Sequence, residues 1–80
     1  MLKFEYDPNG EMIVVAGDAE GLRDLVEVLQ RLAAKADAGV DDHEHLKSEA
    51  WGGFHLDVNG APTMSGAIKV NHVKIYARPT

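Results

Sequence analysis

Cysteine is absent from the 80 residues, which excludes disulfide staples, thiolate metal sites and a cysteine nucleophile, and nothing asks for an oxidising compartment. A cytoplasmic protein is the expectation. Basic residues are scarce: 8 Lys+Arg stand against 13 Asp+Glu, a net charge of −5. That balance argues against nucleic acid as the main partner and permits a protein with a basic surface. No uninterrupted apolar run approaches the ~20 residues of a membrane span. The start, Met1 to Asp7, alternates charged with apolar residues, unlike a secretory signal. Catalytic motifs are missing as well. Ser48 and Ser65 lack the G-x-S-x-G elbow, and the glycines between Gly60 and Ala67 are followed by no Lys-Ser/Thr pair that would make a phosphate loop. We therefore expect no enzyme, no cofactor and no membrane association.

Hydrophobic residues at 45% and charged residues at 26% describe an ordinary globular domain, and the length allows one domain spanning 1–80. A chain this short sits near the lower limit for a self-sufficient core. A homodimer or a bound partner would therefore matter for stability.

Leu2, Phe4 and Tyr6 alternate with Lys3, Glu5 and Asp7, the period of a strand with one apolar face. Asp7-Pro8-Asn9-Gly10 has the chemistry of a type I turn, with Gly10 suited to a left-handed position, and Met12 to Ala16 form the return strand. Asp18 is placed as an N-cap. Leu22, Leu25, Val26, Leu29, Leu32, Ala33 and Ala36 then recur at helical spacing until Gly39. His43 to Lys47 and Val70 to Ala77 alternate as strands. Between them, residues 48 to 67 form a long glycine-rich loop in which only Phe54 to Val58 can extend. The expected fold is α+β: an antiparallel sheet of about four strands, in the order ββαβ(β)β, with one amphipathic helix on one face.

If Leu46 faces the helix, parity sends His43, His45 and Lys47 to the other face, and His72 and Tyr76 join them if Val73 and Ile75 are core. Three imidazoles on one face are sterically able to hold Zn²⁺, so a small metal-binding protein or metal-dependent enzyme using His43, His45 and His72 is the alternative reading. An H-x-H pair is nonetheless too unspecific to indicate a metal by itself. The segment from Asp37 to Glu49 carries Asp41, Asp42, Glu44 and Glu49 and a single base, Lys47. Beside it stands the only tryptophan, Trp51. Its ring can close as a lid over Ile13 and Val15, the preferred reading, or project as an anchor for a partner.

His45-Leu46, Trp51-Gly52-Gly53, Leu56 and Asn71-His72-Val73-Lys74-Ile75-Tyr76 resemble the Immunity protein 32 family of bacterial polymorphic toxin systems. The resemblance covers about residues 43 to 76. At His55 the chain departs from a family pattern in which an acidic residue is usual. It implies a small α+β protein that binds and neutralises a cognate toxin stoichiometrically. On the reading of the residues themselves, the partner surface comprises Asp41, Asp42, Glu44, His45, Glu49, Trp51, His72 and Tyr76.

Overall fold

In the computed structural model, which describes residues 1–79, strands β1 (Leu2–Asp7) and β2 (Met12–Gly17) pair antiparallel, from Leu2 opposite Gly17 to Asp7 opposite Met12. The turn between them is locked by Asp7, whose Oδ1 accepts from the Asn9 amide at 3.1 Å. Its left-handed position falls on Glu11 (φ 49°) rather than on Gly10. The hairpin expected from Asp-Pro-Asn-Gly is thus present, with its strained residue one place later.

Helix α1 (Ala19–Asp37) begins at Asp18, whose carboxylate accepts from the Gly21 amide at 2.8 Å and satisfies one of the free donors of the first turn. The amino-terminal ammonium lies 2.8 Å from the same oxygen. Together these contacts hold the Asp18 carboxyl below its ordinary range, the ammonium being the larger influence. The helix ends before Gly39, which takes φ 75°. Its buried side chains are Val28 and Leu32, with Leu25 and Ala36 packed beside them. Leu22, Val26 and Leu29, expected on the same buried stripe, are exposed.

After the helix, β3 (Asp42–Lys47), β4 (Ile68–Lys69) and β5 (His72–Ala77) complete an α+β fold with two antiparallel sheets, ordered β2-β1-β4 and β3-β5. The single sheet of about four strands is in fact three plus two, and the reason is local. The strand expected over 70 to 77 breaks at Val70 and Asn71. Val70 donates to the Phe4 carbonyl of β1, and the Asn71 carbonyl accepts from the Ser48 amide beyond β3. The chain therefore changes partner within two residues. Phe54 to Val58 does not form a strand either. It supplies a parallel bridge from Leu56 to Ser48 and a hydrogen bond from the Asp57 amide to the Leu2 carbonyl, and so stitches the two sheets together.

Leu2, Val28, Leu32, Leu46, Leu56 and Ala77 form the core on the helix side. On the other side the long loop folds back over β1. Glu5, 1% exposed, accepts the Thr63 amide on both carboxylate oxygens at 3.0 Å. Lys69 reaches the Val58 and Gly60 carbonyls, and Lys3 reaches that of Asn59. The long glycine-rich loop is therefore largely structural, because its carbonyls satisfy two lysines and its amide satisfies a buried carboxylate.

Candidate functional site

The β3-β5 pairing sets His43 opposite Tyr76, His45 opposite Lys74 and Lys47 opposite His72, while Leu46 lies opposite Val73. Leu46 is fully buried, so the parity expectation holds and the three histidines share the helix-free face. They form a row. The His45 and His72 rings stack at 4.9 Å, with Nδ1 of His45 and Nε2 of His72 2.7 Å apart. His43 meets His45 edge-on at 5.0 Å and Tyr76 at 5.7 Å, and Trp51 closes the other end, 6.1 Å from His72.

At 2.7 Å the two facing nitrogens share one hydrogen, one ring donating and the other accepting. The surroundings are cationic, with Lys74 4.8 Å and the Arg78 guanidinium 5.5 Å from the Tyr76 ring centre. Partial desolvation pushes His45 below the ordinary imidazole value of 6.5, and the charges of His43, His72, Lys74 and Lys47 add to it. The unfolded chain therefore takes up this proton first as pH falls. Stability on account of His45 is intact above about 6.5 and declines as pH drops through the lower folded value. In thermal melts between about pH 7.5 and pH 5, His45→Gln should lose less of its melting temperature on the acid side than the parent. Parallel losses would show that His45 is not the responsible group.

No group of three or more His, Asp or Glu side chains converges as a metal site among the described residues. His43, His45 and His72 are brought to one face, but two of them bond to each other instead of pointing at a common centre. Ser48 is no nucleophile for this row: it is fully buried and donates through Oγ to Asn71 Oδ1 at 2.6 Å.

Trp51 ends a short 3-10 turn (Glu49–Trp51) and is 57% exposed. It stands beside His72, so the lid over Ile13 and Val15 is corrected: both of those residues are themselves exposed, on the other sheet. The two glycines after Trp51 have separate reasons. Gly52 takes φ 85°, and a Cβ on Gly53 would lie 2.5 Å from Cβ and 2.6 Å from O of Lys47. The turn is tied down by the Trp51 and Gly53 amides donating to the Ser48 carbonyl and by the His55 and Leu56 amides donating to that of Lys47.

On the far side of those glycines stands Phe54, 86% exposed and stacked on His55 at 4.3 Å. Sequence reasoning missed it, although its place next to Gly-Gly in a rigid turn was a usable signal. Three adjoining cavities meet at Phe54, and Glu20, Asp24, Glu27, Glu44, Glu49 and Asp57 contribute to their walls. Arg31, which also contributes, is paired with Glu44 at 2.5 Å, and His55 and the amino-terminal Met1 complete the basic groups there. The acidic segment read as one surface is therefore divided. Glu44 and Glu49 belong to the Phe54 groove. Asp41 and Asp42 sit at the opposite end of β3, where they line a small cleft with His43, Tyr76, Ala77 and Arg78. His45, His72, Tyr76 and Trp51 gather on the open sheet face.

The Immunity protein 32 family matches residues 13–72 of this chain, from β2 through both halves of the site to the first residue of β5. The chain belongs to the Immunity protein 32 family. No curated protein and no solved structure matches it. The family's name marks an immunity protein, and the match takes in His45, Trp51, Phe54 and His72. No helix is long and apolar enough to cross a membrane among the described residues.

Proposed function

We propose that this member of the Immunity protein 32 family neutralises a cognate toxin in the cytoplasm by stoichiometric binding, without turnover, and that the turn after β3 is its docking element. The observation that carries this reading is the pair of exposed aromatic rings, Trp51 and Phe54, held on either side of Gly52-Gly53 by a turn that is hydrogen-bonded at both ends. Exposed aromatics on a rigid support lose little freedom on binding, and anchors at interfaces have that character.

The acidic walls around Phe54 favour a partner with a basic surface, because complementary charge speeds encounter and fixes orientation. A toxin that grips phosphates would offer such a surface. Neutralisation by binding has a distinctive dose response. Added to its cognate toxin, the protein should reduce toxin activity linearly to zero at one equivalent. Inactivation of many equivalents of toxin by one equivalent of this protein would overturn the proposal in favour of catalysis.

A further inference from the structure

The molecule exposes 5336 Å², whereas a folded monomer of its mass, 8.7 kDa, is expected to expose about 4,700 Å². Its radius of gyration, 13.6 Å, likewise exceeds the roughly 11.6 Å of a chain of this length. The excess surface approaches the roughly 800 Å² that each partner buries in a standard interface. Its most apolar part is easily located. Strand β2 is an edge strand carrying no charge, proline or bulge from Met12 to Gly17, and Ile13 and Val15 are exposed on its helix-facing side. Alongside runs the uncovered stripe of α1, Leu22, Val26 and Leu29, with Leu22 Cγ 3.2 Å from where a Cβ of Gly17 would lie.

We propose that this surface pairs with a second copy of the same chain, β2 against β2 in antiparallel register about a two-fold axis, with the two helix stripes meeting on one side of the joined sheet. An antiparallel strand edge is complementary to itself, which an isologous contact requires. Long apolar edges without guarding charges are otherwise templates for uncontrolled pairing. The net charge of −5 on each chain opposes contact between copies through their charged surfaces, whereas this neutral patch lets two of them approach without setting like charges face to face. The β3-β5 face lies on other elements, and the Phe54 groove draws on α1 through Glu20, Asp24, Glu27 and Arg31, which helical spacing sets on the side away from Leu22, Val26 and Leu29, so a dimer formed this way leaves both free.

Sedimentation of the full chain from micromolar to submillimolar concentration tests the assignment. The parent should run at twice 8.7 kDa, and Val26→Lys and Ile13→Lys should each halve that mass while keeping the far-ultraviolet spectrum of the parent. Trp51→Ala should leave the dimer intact. A parent of single-chain mass at the highest concentration would overturn the proposal. So would a dimer that survives both lysine substitutions, or one that Trp51→Ala dissociates. Should either lysine variant unfold, Val15→Lys gives the same readout from the middle of the strand. None of these outcomes depends on whether a toxin is bound.

Discussion

Trp51→Ala should accelerate dissociation of the toxin complex about 30-fold or more, equivalent to about 2 kcal/mol, and should leave the melting temperature of the free protein nearly unchanged. The two halves of this expectation come from the same geometry. A ring buried as a lid would cost about 3 to 5 kcal/mol of folding stability on truncation, but Trp51 is more than half exposed, with its ring tilted against that of His72. Its apolar area remains to be buried, so the gain from burying it appears in the complex and not in the fold. Phe54→Ala should behave in the same way. Which of the two variants dissociates faster tells whether the partner leans toward the imidazole row or toward the acidic groove. Surface plasmon resonance for the rates and scanning calorimetry for the fold separate the outcomes. A Trp51→Ala protein that melts well below the parent, yet binds normally when folded, would return the ring to a structural role.

Charge substitutions around the groove should act differently from the aromatic ones, since rim carboxylates steer encounter more than they hold the complex. The same logic constrains the open face. Its rings are hemmed in by Lys47, Lys74 and Arg78, so a carboxylate of the partner seated there would raise the suppressed proton affinity of His45, and binding would take up a proton. A partner that engages only the Phe54 side would leave that titration alone.

The hairpin, the helix and the sidedness of β3 and β5 were legible because they rest on periodicity, and periodicity is local. His43, His45 and His72 were placed on one face by counting residues from Leu46 and Val73, and β-pairing across two short strands could do nothing else with them. What failed was non-local. The division into two sheets depends on Asn71 giving its carbonyl to Ser48 while Val70 serves Phe4, and no window of sequence contains both partners. The structural duty of the long loop likewise depends on Glu5, nearly sixty positions away from Thr63 in the chain. The acidic segment looked continuous only because it was read along the chain. In a strand, Glu44 faces opposite to His43 and His45, and it finds Arg31 of the helix there. The stripe of α1 was correctly recognised as apolar but wrongly assumed to be covered, because amphipathicity specifies a face and not what lies against it.

Leu46→Ala should lower stability by about 2 to 5 kcal/mol, which for a domain of this size corresponds to a drop in melting temperature on the order of 10 °C or more. Leu46 is the largest fully buried side chain, at 0% exposure, and lies in the one cluster that joins β1, α1, β3, β5 and the bridging residue Leu56. Among the described residues six buried hydrophobic side chains make up that cluster, and a domain of 80 residues has about 4 to 12 kcal/mol in total. The substitution therefore removes a large fraction of what holds the two sheets under one helix. The hole cannot collapse easily, because β3 is held by β5 on its flank and by the Ser48-Asn71 contacts at its end. Phe54→Ala is the matching control: it deletes a larger apolar side chain, but one that is 86% exposed, and should change stability by no more than about 0.5 kcal/mol. Both variants should be melted at one fixed protein concentration, since self-association makes the midpoint concentration-dependent. If the two substitutions shift the midpoint equally, the core does not lie where Leu46, Leu56 and Val28 meet, and the join between the sheets must be sought in the loop that Glu5 holds.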